Sequence, residues 1–262
     1  MPTFTSHAIG SPCWVDLMSP DVDASVTFYT GVFGWDAADQ HDDEGNRVYV
    51  MFSLGGKTVA GLGGQAPQMA GMPAIWNNYV ACDDLDGTVA AAAAAGGTVM
   101  MPPMQVMDAG AMAIISDPTG AAISLWMAGT HRGAELCNEP NTWSWTELMT
   151  RDIEAARPFY EAVFGWEIVG QDMGPMGTYW VVQGGEHGGW AGLMSMPPDV
   201  PDMVPNHWAT YFATADIAET VSKIVAHGGQ AVEEPFHVPG VGTMAIVHDD
   251  LGGNFSLMQP DE

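Results

Sequence analysis

The chain has 262 residues, of which 47% are hydrophobic and 10% aromatic, and this composition predicts a folded globular protein. Its 32 acidic residues against 6 basic ones leave a formal net charge of −26, which excludes nucleic acid and disfavours an anionic membrane surface, because both need a basic partner face. Since it has no long apolar run, no export signal at its beginning and only 3 cysteines without metal-ligand spacing, we expect a soluble, cytoplasmic protein without membrane partners.

The first elements along the chain are predicted to be a strand, a helix and further strands. Residues 14–18 read as a strand, and a helix follows from about 21 to 32, with apolar residues at helical spacing. Gly34 is predicted to end this helix. Strands near 48–54 and 58–62 come next, separated by glycines.

A similar unit follows in the same half. Residues 79–82 predict a strand, and the alanine-rich segment 85–95 predicts a helix that Gly96-Gly97 stops. Two strands are predicted on either side of the turn at 117–120. The first half therefore reads as two consecutive βαβββ modules.

The second half repeats the first. Residues 28–35, FYTGVFGW, recur as residues 159–166, FYEAVFGW, and Trp14 recurs as Trp145. A repeat of this length means that one fold occurs twice in the chain.

The repeat predicts an α+β fold with two tandem domains, at 10–128 and 141–260, joined by a linker at 129–140. Each domain is expected to be a pair of βαβββ modules that form a curved mixed sheet with helices on the outer face. The second domain has predicted helices at 153–163 and 217–226. Because the chain already contains both domains of a pair, we expect a monomer with intramolecular domain pairing, with a homodimer as the alternative.

Three motifs carry a resemblance to a known superfamily. They are FYTGVFGW/FYEAVFGW, the Gly-Gly after the second helix of each half, and DPTGAAISLW/DDLGGNFSLM before the last strand of each half. On these motifs the chain resembles the vicinal oxygen chelate superfamily, which includes glyoxalase I, extradiol dioxygenases and bleomycin- and fosfomycin-resistance proteins. Within it, the chain is most similar to the actinobacterial tandem-domain group. The resemblance covers nearly the whole chain.

The resemblance implies a metal site that this chain does not reproduce. In metal-dependent members, histidine, glutamine or glutamate on the first strand and glutamate on the last strand of a domain hold one divalent ion. Here the first-strand positions are Trp14 and Trp145, and the last-strand positions are Ser124 and Ser256. We therefore expect no metal at the usual place and no cofactor. The other two ligand positions of each site fall near Ala60-Gly61 and Asn77, and near Ala191-Gly192 and Ala209.

Strand alternation places an indole and a carboxylate on the same face in each half. Trp14 and Asp16 share one face of the first strand, and Trp145 and Glu147 repeat the pair. Aromatic side chains around a single carboxylate would form a pocket that suits a small planar ligand. The alternative is that the tryptophans only pack the sheets. The candidate ligand-binding residues are Trp14, Asn77, Tyr79, Ser124, Trp126, Trp145, His207, Tyr211 and Ser256.

Asp16 and Glu147 also admit a catalytic interpretation. A carboxylate beside an indole would have its pKa raised by desolvation, which suits a general acid or base for metal-free isomerisation, cyclisation or a hydroxylase-like reaction. Three other possibilities stay open: a hydrogen-bonded carboxylate at a pocket rim, a divalent-metal lyase or dioxygenase, and a scaffold whose pockets are vestigial.

Overall fold

The computed structural model of the chain describes residues 3–174, 177–185 and 189–261. Within these ranges the chain forms an eight-stranded and a nine-stranded mixed sheet with four α-helices, which confirms the predicted α+β class and its two tandem domains. None of the described helices is long and apolar enough to cross a membrane.

The first sheet joins two βαβββ modules. Its strands run in the spatial order β2-β3-β4-β1-β5-β8-β7-β6, and the central strands β1 and β5 are antiparallel. Its elements are β1 (Pro12–Ser19), α1 (Val22–Phe33), β2 (Asp36–His41), β3 (Arg47–Leu54), β4 (Lys57–Gly64), a 3-10 turn at Pro67–Met69, β5 (Ile75–Ala81), α2 (Leu85–Ala94), β6 (Thr98–Val106), β7 (Gly110–Ser116) and β8 (Ala122–Ala128).

The second sheet repeats this topology. Its strands run in the order β10-β11-β12-β9-β13-β17-β16-β14, and β15 pairs with β16. Its elements are β9 (Trp143–Thr150), α3 (Ile153–Phe164), β10 (Ile168–Asp172), β11 (Thr178–Val182), β12 (Ala191–Ser195), β13 (His207–Ala213), α4 (Ile217–Ala226), β14 (Gln230–Ala231), β15 (Phe236–Val238), β16 (Gly242–His248) and β17 (Asn254–Pro260).

Local signals explain where the corresponding helices α1 and α3 begin and end. The side chains of Asp21 and Asp152 accept hydrogen bonds from the backbone N–H groups three residues on, as helix N-caps do. Gly34 and Gly165 end the two helices with φ angles of 70° and 66°, a left-handed conformation that glycine adopts without strain.

Strand β2 is not among the strands that the sequence predicts. All of its residues are exposed, and it lies at the edge of the first sheet. An edge strand that buries neither face needs no alternation of apolar residues, so the DAADQH segment carries no period-2 signal.

Both hydrophobic cores are shared between the halves. Tyr29 and Phe33 of α1 pack with Phe212 and Phe255 of the second sheet, and the Phe33 and Phe212 ring centroids lie 5.1 Å apart. The second core in turn joins residues of α3 to those of β5, β7 and β8. The helix-covered outer faces of the two sheets therefore meet each other, and the concave faces remain for a site.

The motifs that repeat in the sequence form this junction. Tyr29 donates a 2.9 Å hydrogen bond to Asp249 in the other half, and the Trp35 indole donates to the carbonyl of Asn141 at 2.8 Å. A Cβ at Gly229 would lie only 3.0 Å from the ring of Phe28, so the second glycine of the Gly-Gly pair makes room for the other half. The same three contacts recur between Tyr160 and Asp117, Trp166 and Gly10, and Gly97 and Phe159.

Candidate functional site

A carboxylate lies at the centre of a hydrogen-bonded cluster on the first sheet. The Asp16 carboxylate accepts hydrogen bonds of 2.9 Å from the hydroxyls of Tyr49 and Tyr79 and from the Asn77 side-chain amide. The Trp14 indole N–H donates to the Tyr49 hydroxyl at 3.1 Å. The first cluster consists of these residues and Ser124, which pairs in register with Tyr79: Trp14, Asp16, Tyr49, Asn77, Tyr79 and Ser124.

The second sheet repeats the arrangement with a glutamate. The Glu147 carboxylate accepts hydrogen bonds from the hydroxyls of Tyr179 at 2.6 Å and Tyr211 at 2.8 Å. The Trp145 indole donates to the Tyr179 hydroxyl at 2.9 Å. The second cluster is Trp145, Glu147, Tyr179, Tyr211 and Ser256, and it differs from the first mainly in having Ala209 in place of Asn77.

Each tryptophan sets the direction of its hydrogen-bond chain. An indole N–H can only donate, so the tyrosine hydroxyl that accepts from it must turn its own hydrogen elsewhere. That hydrogen points to the carboxylate, from Tyr49 to Asp16 and from Tyr179 to Glu147. In both clusters the indole orients a phenol, and the phenol in turn holds the carboxylate in place.

Burial raises the pKa of both carboxylates. Asp16 and Glu147 are 4% and 5% exposed, and desolvation is the dominant cause of their upward pKa shifts, opposed by the hydrogen bonds from the tyrosines and, for Asp16, from Asn77. In the part of the chain that the structure describes, neither carboxylate forms an ion pair. Both groups are therefore easier to protonate than surface carboxylates.

The two corresponding tryptophans differ in exposure. Trp14 is 2% exposed, and the His131 ring packs edge-on against it with the centroids 4.4 Å apart. His131 is held there because its carbonyl accepts a 3.0 Å hydrogen bond from the indole of Trp126. Trp145 is partly exposed, and so are the corresponding tyrosines Tyr49 and Tyr179. The segment between the halves therefore covers Trp14, whereas Trp145 presents part of its ring.

His207 lies on the same face as the second cluster. It begins β13 two positions before Ala209, the register partner of Glu147, and it pairs with Met149. Its Nδ1 lies 2.9 Å from the carbonyl oxygen of Pro205, so Nδ1 is the protonated nitrogen and Nε2 is left as an acceptor. Burial lowers the pKa of His207, which favours this neutral form.

The residues at the positions expected for metal ligands do not fit a divalent ion. Trp14, Trp145, Ser124 and Ser256 supply neither imidazole nor carboxylate there. Among the described residues, no group of three or more His, Cys, Asp or Glu side chains converges to hold a metal. The concave faces are built around carboxylates that tyrosines hold by hydrogen bonds.

The fourth strand of each half has a glycine where a tyrosine from the neighbouring strand occupies the space that a side chain would fill. A Cβ at Gly61 would overlap the hydroxyl of Tyr49, and one at Gly192 would overlap the hydroxyl of Tyr179. Sequence reasoning missed both tyrosines, because each lies two strands away from its carboxylate. A glycine inside a strand can mark the close approach of another group, so Gly61 and Gly192 are the sequence signal by which the two tyrosines could have been found.

A cleft of about 220 Å³ lies beside the first cluster, at the edge of the concave face. Trp126 lines it together with His7, Arg132, Cys13 and Cys82. Burial raises the pKa of both thiols, that of Cys82 to about 12, so neither thiol is a nucleophile at neutral pH.

The chain is similar to a well-defined family and to named relatives. Residues 12–125 and 142–255 both match the Glyoxalase/Bleomycin resistance protein/Dioxygenase superfamily. A protein of Mycobacterium tuberculosis named "Putative glyoxylase CFP32" is 42% identical over 99% of this chain and 98% of its own length. The anthracycline biosynthesis protein DnrV of Streptomyces peucetius is 39% identical over 97% of this chain and 95% of its own length.

Solved structures share the fold at low identity. The Mn(II)-bound glyoxalase from Novosphingobium aromaticivorans has a TM-score of 0.64 at 15% identity, covering 96% of this chain and 82% of that one. The 2,3-dioxygenase LapB from Pseudomonas sp. KL28 has a TM-score of 0.65 at 14% identity, covering 96% of this chain and 92% of that one. At these identities the likeness concerns the fold alone.

Proposed function

This chain belongs to the Glyoxalase/Bleomycin resistance protein/Dioxygenase superfamily, and from that premise we propose that it binds a small planar organic molecule on its aromatic concave face without a metal ion. The observation that carries the proposal is the second cluster, where Trp145 and Tyr179 stay partly exposed although their polar atoms are fixed by hydrogen bonds that lead to Glu147. Rigid aromatic faces bind flat ligands at little entropic cost, because no side chain has to be ordered on binding.

The names of two relatives support a planar ligand. DnrV and DauV, which are 39% and 37% identical to this chain, are named as anthracycline biosynthesis proteins. Anthracyclines contain a flat fused-ring chromophore, and a chromophore of this shape matches an indole and a phenol held side by side. We extend only the planar shape of that compound class to this chain.

Metal independence is tested first. After dialysis against a chelator, elemental analysis should find no stoichiometric transition metal. Adding nickel, zinc, iron(II) or manganese should leave the melting temperature unchanged, because a ligand that binds only the folded state would raise it. A bound ion, or a large shift with one metal, would replace this proposal with a metal lyase or dioxygenase.

Ligand binding is tested by titrating an anthracycline into the chelator-treated protein and into Trp145→Ala. Removing the indole should weaken binding roughly tenfold or more, because aromatic stacking and the buried apolar area are both lost. Trp180 provides the control, because its ring lies against the Arg157 guanidinium at 4.4 Å, away from the cluster, and Trp180→Phe should bind normally. Equal affinity in folded Trp145→Ala would refute the proposal.

Metal-free acid–base catalysis is the second candidate, and the raised pKa values of Asp16 and Glu147 favour it. Glu147 is the better placed of the two, because the adjacent Trp145 is partly exposed whereas Trp14 beside Asp16 is buried. Under this hypothesis a bound ligand with an acidic carbon-bound hydrogen should take up deuterium in D2O, and Glu147→Gln saturated with the same ligand should not catalyse that exchange. Equal exchange by both proteins would remove this candidate.

A further inference from the structure

We propose that the second cluster selects planar ligands that carry a positive charge or hydrogen-bond donors, in particular an organic ammonium group. This inference rests on the proposed function and names the ligand class of the same site.

The donor hydrogens of the cluster are already committed. The Trp145 N–H is used by Tyr179, and the hydroxyl hydrogens of Tyr179 and Tyr211 are both used by Glu147. Ser256 interacts with the Tyr211 hydroxyl and is 4% exposed. A carboxylate or phosphate ligand would need donors that these groups cannot supply without breaking existing hydrogen bonds.

The free capacity of the cluster is for accepting hydrogen bonds. Two carboxylate oxygens offer about four lone-pair sites, of which the tyrosines occupy two. Nε2 of His207 adds an acceptor on the same face, because Nδ1 donates to the Pro205 carbonyl. A ligand ammonium or N–H group brings the donors that these acceptors need, whereas an anionic ligand brings none.

Charge acts in the same direction. Glu147 is the only acidic member of the cluster, and the chain as a whole carries a formal −26. The nearby Arg151 does not neutralise it directly, because its guanidinium donates to the carbonyls of Val204 and Pro201 at 2.6 and 2.9 Å. A cation over the faces of Trp145 and Tyr179 gains cation–π attraction in addition to the carboxylate charge.

The test uses three ligands with one ring system: anthracen-9-ylmethylammonium, neutral anthracene-9-methanol and anthracene-9-carboxylate. Each is titrated into the unaltered protein, Glu147→Gln, Trp145→Ala and Glu234→Gln, in about 0.5 M salt to screen the general surface charge. Glu234 is an exposed glutamate outside the cluster, so its variant removes an equal charge from the surface.

We expect the ammonium ligand to bind tightest and to lose roughly tenfold to a hundredfold in affinity in Glu147→Gln, with no loss in Glu234→Gln. If the three probes bind equally well, and the binding of each is weakened in Trp145→Ala, this inference is overturned and the proposed function stands. Tightest binding of the carboxylate would also overturn it. If no probe binds, or if none binds more weakly to Trp145→Ala than to the unaltered protein, both this inference and the proposed function are overturned.

Discussion

The hydroxyl of Tyr29 and the carboxylate of Asp249 are joined by a 2.9 Å hydrogen bond, although the two residues are 220 positions apart in the chain. The same hydroxyl accepts the indole N–H of Trp76 at 2.9 Å, so one phenol links helix α1 and strand β5 to the last turn of the other half. Tyr160 repeats these contacts with Asp117 and Trp208. The halves are therefore held together by two related polar bridges inside shared cores.

Tyr29→Phe should lower the free energy of unfolding by about 1–3 kcal/mol, because it leaves a buried indole N–H and a buried carboxylate oxygen without a partner. Tyr160→Phe should cost a similar amount, and the double variant should be close to additive, since the two bridges share no partner. Urea denaturation followed by tryptophan fluorescence measures these values. A loss below about 0.5 kcal/mol in both single variants would contradict a stabilising role for the bridges.

The shared cores predict that neither half folds alone. A chain of residues 1–138 would leave Phe33 without Phe212 and Phe255, and a chain of 139–262 would leave the same two phenylalanines exposed. We expect each fragment to lack a cooperative unfolding transition and a near-UV circular dichroism signal, and the co-expressed pair to regain both. A cooperative transition in either isolated fragment would refute this interpretation of the cores.

Gly192→Ala should disturb the second cluster directly. The new methyl group would overlap the Tyr179 hydroxyl, and moving that ring breaks its contacts with Trp145 and Glu147. We expect a loss of about 1–3 kcal/mol in stability, as for other overpacked sites. Gly64→Ala is the matched control, because its added Cβ would meet only Val22 at 3.7 Å, an ordinary contact. Equal stability of the two variants would mean that Tyr179 has room to move.

The raised pKa of Glu147 predicts how stability varies with pH. Between the ordinary glutamate value of 4.5 and the higher folded-state value, the folded protein holds a proton that the unfolded chain has lost. Glu147 therefore stabilises the protein at the acidic end of this window, and its contribution falls as the pH rises through the folded-state pKa.

Comparison with Glu147→Gln isolates this contribution, because the other carboxylates titrate in both proteins. The stability of the unaltered protein relative to Glu147→Gln should decrease steadily from about pH 4.5 upward, as measured by urea denaturation at a series of pH values. A difference that is constant with pH would show that the tyrosine hydrogen bonds cancel the desolvation, and one that increases would show that they outweigh it and lower the pKa; either result would contradict the prediction.

Much of the fold could be predicted because its signals are local or repeated. Aspartate N-caps and glycine ends bound the helices α1 and α3, and the recurrence of FYTGVFGW as FYEAVFGW identifies the duplication without any structure. Strand alternation also assigned Trp14 and Asp16 to one face, and both residues belong to the first cluster. These features depend on neighbouring residues or on comparing the chain with itself.

Only the tertiary structure decided which residues distant in the chain contact each other at the site. Tyr49 and Tyr179 reach their carboxylates across an intervening strand, and that distance is set by sheet order rather than by spacing along the chain. The different exposure of Trp14 and Trp145 depends on where the chain around His131 packs. The sequence by itself thus determined the repeated modules and their polar residues. The chemistry of each concave face depends on burial and on the direction of the hydrogen bonds. Both require atoms that are distant in the chain to meet, so only the tertiary structure decided them.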